Sequence, residues 1–225
     1  MHRRQMSGCP KGGSVSTSQS SASKVVRNPC RSGQPGYLIR ISYHKYNRRV
    51  HIEIREFRRA DFDELWRIDQ ECFEPGISYS RMELDHYVRR RRAFTLVAET
   101  TSHRGRAVAA KSGGRALAVD KAAPRIVGFI VVEEDSKGVG HVITIDVRAE
   151  ARRSGVGTEL MNMAEDRLRA TGCRAVFLET AVDNIKALSF YKRHGYSILK
   201  TIPRYYKNNV DALLLGKRLD LRAGA

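Results

Sequence analysis

Polar and apolar residues first fall into a clear rhythm at "VHIEIREF", where Val50, Ile52 and Ile54 alternate with polar neighbours at the period of a half-buried strand. In "RADFDELWRIDQECF" the spacing changes: Phe62, Leu65, Trp66, Ile68 and Cys72 recur at helical intervals, with Asp61 placed to cap the start. After a Pro-Gly break, "SRMELDHYVRRRR" predicts a second short helix running into Arg89, Arg90, Arg91 and Arg92. "AFTLVAE" and "RIVGFIVVEED" read as two β-rich runs, kept from a simple hairpin by the long Ala-, Gly- and Lys/Arg-rich stretch between Glu99 and Arg125. A turn at "SKGVG" leads to "HVITIDV", where Ile143, Ile145 and Val147 are expected on one face.

Beyond the next glycines, Leu160, Met161, Ala164 and Leu168 make one helical stripe that Gly172 can close. "CRAVFLET" predicts a buried strand, and "DNIKALSFYKRHG" a helix with Asp183 or Asn184 at its start and Gly195 past its end. "YSILKTI" and "DALLLGKRL" supply the last strands around the "RYY" and "KNN" turn region. The order β-α-α-β-β-β-α-β-α-β-β makes a mixed α/β (α+β) domain with a helix crossover inside a mainly antiparallel sheet. No internal repeat is visible.

This places one folded domain at 50–222, long enough for one full core, with 100–124 as a mobile basic insertion and 1–49 as a basic, disordered N-terminal extension. The extension is rich in Ser, Gly, Pro and Arg and too poor in apolar residues to offset the entropy of ordering it. It also concentrates charge. Of the formal +17, residues 1–50 hold 10 Lys or Arg and no acid, leaving 31 basic residues against 24 acids, a net +7, for the remainder. The extension reads as a transit peptide, as a basic arm for ribosome or RNA proximity, or as a dispensable leader. It lacks the apolar segment of a secretory signal, and no apolar run is long enough to span a membrane. Cys9, Cys30, Cys72 and Cys173 are dispersed without metal-ligand spacing, which predicts reduced thiols, no metal and a cytoplasmic protein.

The chemistry centres on "ARRSGVGTELM". Gly155 and Gly157 are followed by Leu160 where a dinucleotide fingerprint needs its third glycine, and the Gly-Lys-Ser/Thr of a triphosphate loop is absent. What remains is Arg152-x-x-Gly155-x-Gly157 on a strand-to-helix turn. Such a turn aims helix N-terminal N–H groups at one point and lets a phosphate approach closely.

Together with "IDVRAEARRSGVG", the segments "LETAVDNIKALSFYKRHGY" and "RYYKNNVDALLL" resemble the Gcn5-related N-acetyltransferases, nearest to the ribosomal-protein-alanine (RimI-like) and N-terminal acetyltransferase branch. The resemblance covers about residues 50 to 220. It implies a twisted sheet flanked by helices whose central strands splay apart to admit acetyl-coenzyme A. It further implies that Ile145, Asp146 and Val147 pair with the pantetheine arm. Arg152, Arg153, Ser154, Gly155, Val156, Gly157 and Thr158 would hold the pyrophosphate, and Asn184 would contact the pantetheine. The family usually has Pro at the position of Glu150 and often Gly at that of Arg153.

The resemblance assigns Glu179 as a base, acting through water, and Tyr191 as the acid facing the leaving sulfur. An α-amine of pKa about 8 is already partly neutral near pH 7, so a modest base suffices, whereas a lysine near about 10.4 needs more help. Phe73, Pro75, Ile77 and Tyr79 match the loop that lines an acceptor peptide, and Tyr205 and Tyr206 match its second wall. The acceptor expected is a protein or peptide with a free amine, most simply an N-terminal α-amine such as that of a ribosomal protein. Acetylation of lysine, a polyamine or another small amine remains open on this fold. So does a non-catalytic, nucleic-acid-binding accessory role.

Overall fold

The computed structural model describes residues 39–45, 48–101 and 124–220, with side chains described at 51–100 and 124–220. In chain order the elements are β1 (Ile39–Lys45), β2 (Arg48–Glu56), α1 (Phe62–Cys72), α2 (Arg81–Val88), β3 (Ala93–Thr101), β4 (Ile126–Glu134), β5 (Val139–Val147), α3 (Val156–Ala170), β6 (Ala175–Ala181), α4 (Ile185–Arg193), β7 (Ser197–Ile202) and β8 (Ala212–Arg218). The strands form one 8-stranded sheet in the order β1-β2-β3-β4-β5-β6-β8-β7. Among the described strands only β5 and β6 pair in parallel, joined by the α3 crossover.

The sheet starts earlier than the Val50 boundary expected from composition. Ile39, Ile41 and Tyr43 alternate with polar residues, and β1 pairs antiparallel with β2 from Ile39↔Ile54 to Lys45↔Arg48. A compositional reading dominated by basic and small residues hides that alternation. The long stretch after Glu99 does not prevent a hairpin either: β3 and β4 pair directly, and its roots are tied by Thr100 N–H to the Arg125 carbonyl at 2.8 Å. Loop closure cost grows only slowly with loop length, so a long connection is tolerated. The rest of the proposed 100–124 insertion, residues 102–123, lies outside the described residues, as do residues 1–38 with Cys9 and Cys30.

Two apolar clusters cover the two faces. On one, Leu160, Met161, Ala164 and Leu168 of α3, all fully buried, meet Ile130, Val132 and Val142, with Ala187, Leu188 and Phe190 of α4 packed alongside. On the other, Leu65, Ile68 and Leu84 of α1 and α2 meet Val97, Phe129 and Val131. Each such large side chain taken from water contributes roughly 1.5–3 kcal/mol.

The expected single face for Ile143, Ile145 and Val147 is corrected. Between Val131 and Val132 the β4–β5 register shifts, so Val142 faces Val132 while Thr144 faces Val131. The extra residue reverses the parity of β5. Ile143 consequently packs with α1 and α2, whereas Ile145 and Val147 pack on the α3 side. Directly before this bulge the parallel β5–β6 pairing ends at Val142↔Leu178. Past that point β5 stays with β4 to Val147 and β6 with β8 to Ala181, so the two central strands part. β6 is also less enclosed than the continuous buried run expected of it, since only alternate residues along most of its length are buried.

Arg148, 6% exposed, fastens α1 over the end of β5 through Glu64 and Glu71, each at 2.6 Å. Asp61 does not cap α1 with its side chain: it pairs with both terminal nitrogens of Arg55, at 2.7 and 3.0 Å, and accepts the Arg58 N–H at 2.7 Å.

Candidate functional site

At the open end of the gap, α3 begins from Gly155 in the left-handed region at φ +92, where a Cβ would meet no other atom within 4 Å. The first-turn N–H groups of Val156, Gly157 and Thr158 have no earlier helical carbonyl to bond, which leaves a partial positive charge facing the gap's end. Arg153 also adopts a left-handed φ, +61, and this accounts for the glycine expected at its position. Arg152 bends back: Nε donates to the Val147 carbonyl at 2.8 Å and a terminal nitrogen meets Cys72 Sγ at 3.5 Å. Ser154 Oγ donates to the Ala151 carbonyl at 2.5 Å, closing the turn. Glu150, where the family has Pro, forms an ion pair with Arg125 at 3.1 Å and so joins the root of the insertion to this loop.

Arg153→Gly would release the left-handed strain while removing a guanidinium beside the helix start. The expected result is a melting temperature no lower than that of the parent, with KM for acetyl-coenzyme A raised about 3- to 10-fold. Steady-state kinetics at low and high salt check it; an unchanged KM at low salt would leave Arg153 outside the phosphate site.

Along the gap, Ile145 and Val147 are half-buried on the α3 side, and Asp146 is buried. Burial, reinforced by Asp69, holds the Asp146 carboxyl well above the usual range; the Thr144 hydroxyl, donating at 3.1 Å, opposes this. Burial and Asp146 push the Cys72 thiol up to about 11, which keeps it protonated and unreactive. Asn184 Oδ1 accepts the Ala187 N–H at 3.1 Å as the cap of α4, leaving its NH2 group as a donor.

The α1–α2 loop forms the opposite wall. Phe73 and Ile77 are half-buried and Pro75 exposed. The Tyr79 hydroxyl donates to the Ile143 carbonyl at 3.2 Å, beside the bulge, and its ring meets Tyr87 edge-on at 5.3 Å. Tyr205 and Tyr206 stack edge-on at 5.1 Å on the β7–β8 loop. The two loops touch. Lys207 Nζ donates to Glu83 at 2.8 Å, and a side chain at Gly76 would meet Asn208 Cβ at 3.3 Å.

Asp69 anchors this wall, accepting the Tyr79 N–H and the Gln70 amide on Oδ2, each at 2.9 Å. Burial raises its carboxyl from 3.8 to about 6, against the pull of those two donors. An acid with a raised folded pKa binds its proton more tightly when folded. Its contribution therefore falls as pH rises from about 3.8 to about 6 and is level above. Asp69→Asn should gain about 2 kcal/mol relative to the parent between about pH 4 and about pH 7.5. Chemical denaturation at both values tests this; a difference that does not move with pH would contradict it.

Glu179, on β6 just past the point where the strands part, lies with its Oε2 2.6 Å from His141 Nε2 on β5. Glu179 is the more enclosed partner, with 17% of its side chain exposed against 40% for His141. Tyr191, on α4, is buried, and its phenol is held well above the ordinary value by burial first and then by Asp146 and Tyr206. Burial first, then Tyr205 and Glu179, hold the phenol of the half-buried Tyr206 well above the ordinary value. The structure thus gathers Glu179, Tyr79, Tyr205 and Tyr206 on one side of the gap, and the glycine loop, Asn184 and the β5 end at the other. His141 and Tyr87 were not anticipated from the sequence. His141 is a lone polar residue two before Ile143, and nothing in its spacing separates it from an ordinary strand-end side chain.

Among the described residues, no three His, Cys, Asp or Glu converge as a metal site, and no helix is long and apolar enough to cross a membrane. The acetyltransferase (GNAT) family model matches residues 62–196. An uncharacterized N-acetyltransferase of Methanocaldococcus jannaschii is 38% identical over 95 residues, 42% of this chain and 60% of the relative. N-alpha-acetyltransferase 30 of Schizosaccharomyces pombe is 34% identical over 92 residues, 39% of this chain and 61% of the relative. The chain therefore spans less than two thirds of the length of these relatives. The crystal structure of Ard1 from Thermoplasma volcanium superposes with a TM-score of 0.58 at 25% identity, covering 74% of this chain and 97% of that one.

Proposed function

The chain belongs to the acetyltransferase (GNAT) family, and from that premise we propose that it moves an acetyl group from acetyl-coenzyme A to the α-amino group at a protein N-terminus. The observation that carries this reading is the bridged mouth over His141 and Glu179: the β7–β8 loop is joined to the first turn of α2 by Lys207–Glu83 and meets the α1–α2 loop at Asn208 against Gly76. A mid-chain lysine on a folded surface needs an open groove with chain leaving on both sides. A closed mouth lined by Tyr79, Tyr87, Tyr205 and Tyr206 suits a single chain end. The names of the relatives, N-alpha-acetyltransferases among them, point the same way.

The residues present fit the acyl donor. The start of α3 at Gly155 to Thr158, with Arg153, would hold its phosphates. The β5 edge at Ile145–Val147, past the end of its pairing with β6, and the Asn184 amide would hold its arm. Acetyl-coenzyme A supplies the acyl group as a thioester. In the tautomer whose Nε2–H donates to Glu179, His141 Nδ1 is left to accept the proton of the incoming ammonium. Tyr191 keeps its proton across the working range and offers it as a hydrogen bond to charge developing on sulfur.

The reading extends to a cytoplasmic enzyme of the ribosomal-protein-alanine branch. The basic stretch ahead of β1, residues 1–38, supports proximity to ribosomes or RNA, since it holds 6 Lys or Arg and no acid. Thiol release from acetyl-coenzyme A by the full chain tests the acceptor class. Peptides with free N-termini should respond and the same peptides with blocked N-termini should not. Release only with internal lysine peptides or with spermidine would overturn the α-amine reading.

A further inference from the structure

The cavity that holds His141 and Glu179 has a volume of about 370 Å³ and is also walled by Glu133, Asp135, Val139, Gly140 and Phe177. Three carboxylates in one cavity stand out on a chain of formal charge +17. They are not equivalent. Glu179 is engaged by His141, and Glu133 by Arg90 at 2.5 Å. Asp135, at the β4–β5 turn and exposed, takes the N–H groups of Lys137 and Val139 on Oδ1, at 2.8 and 2.9 Å. Both are neutral backbone donors, whereas Glu133 meets a guanidinium and Glu179 is committed to its contact with His141, so among the described residues of this wall Asp135 is the exposed carboxylate open to a cationic side chain.

Phe177 adds an apolar surface. Its ring lies close against β8, where a side chain at Gly216 would come within 2.8 Å of it. An apolar surface next to a carboxylate suits a long cationic side chain, whose methylenes cover the ring while the charged head reaches the acid. An acidic side chain would meet like charge there.

We propose that the acceptors are protein N-termini bearing Lys or Arg among their first three residues, with that side chain in this cavity and its charge at Asp135. The proposal rests on the α-amine reading above and names its substrate class.

The test compares kcat/KM of the full chain on peptides sharing one first residue and carrying Lys, Gln or Glu at the second and third. The expected order is Lys, Gln, Glu, with Lys above Glu by about 30-fold at low salt and less at high salt. Asp135→Asn should compress the Lys-to-Glu ratio to below about 5-fold, and Asp135→Lys should invert it, with thermal melts verifying that both variants fold. Glu133→Gln should lower the ratio less, because Arg90 already shares that charge. Equal kcat/KM for the Lys and Glu peptides, or a ratio that survives Asp135→Lys in a folded variant, overturns the charge selectivity and leaves α-amine acetylation standing. No thiol release with any free N-terminus overturns the α-amine reading and this proposal with it.

Discussion

Replacing Tyr191 by Phe is expected to lower kcat about 100-fold while KM for acetyl-coenzyme A stays within about two-fold. The ring is buried on α4, with Phe190 edge-on at 5.4 Å and Tyr196 tilted at 5.9 Å, so removing one oxygen leaves the packing in place. On the proposed reading, what goes is the donor facing sulfur. The thiol of the leaving group has a conjugate pKa near about 8.5, well below that of a phenol raised by burial, Asp146 and Tyr206. The proton therefore stays chiefly on Tyr191, and its contribution is a hydrogen bond that strengthens as charge builds on sulfur. A corollary is that the parent's kcat shows no decline from this phenol as pH rises to about 9.5, because nothing in that range ionises it. Stopped-flow or steady-state thiol release on both proteins checks the two statements. A Phe variant with full kcat would remove Tyr191 from the chemistry.

The second large effect is expected at Glu179. Glu179→Gln keeps the shape of the side chain but cannot hold a negative charge against His141 Nε2, so kcat/KM near pH 7 should fall by about 100-fold or more. The deficit should shrink at higher pH, as the acceptor's α-amine, with a pKa of about 8, loses its proton without help. His141→Ala should show the same pH-dependent loss. Because the two side chains share one hydrogen bond, the double variant should be scarcely worse than either alone. Fully additive losses would mean that they act separately, and a normal rate in His141→Ala would return the base role to Glu179 alone.

Much of this architecture was legible along the chain. The stripes of α1 and α3, the alternation of β2 and the glycine loop all depend on spacing within a few residues, where helical and strand periods and turn chemistry operate, whereas Glu179, Asn184 and Tyr191 were singled out by the family resemblance. Gly155 and Gly172 show the same locality, since their positive φ values of +92 and +88 follow from where α3 starts and stops. Composition was a poorer guide. It placed Ile39–Lys45 in the extension although that segment alternates and pairs with β2.

Tertiary structure decided what depends on register and burial. The shift between Val131 and Val132 reversed the side-chain parity of β5, so Ile143 parted company with Ile145 and Val147. No local pattern reports an extra residue in a strand pair. The end of parallel pairing at Val142↔Leu178 opened the gap and set His141 beside Glu179, 38 residues away in sequence. Glu83 and Lys207, 124 residues apart, close the mouth by the same kind of long-range meeting. Burial is the chief cause at Asp69 and Asp146, whose carboxyls are raised by a loss of solvent that an acidic letter in a sequence does not reveal. Short-range periodicity thus determined which elements form and which residues sit at their ends, whereas the pairing of distant strands and loops determined which of those residues can share a proton or enclose an acceptor.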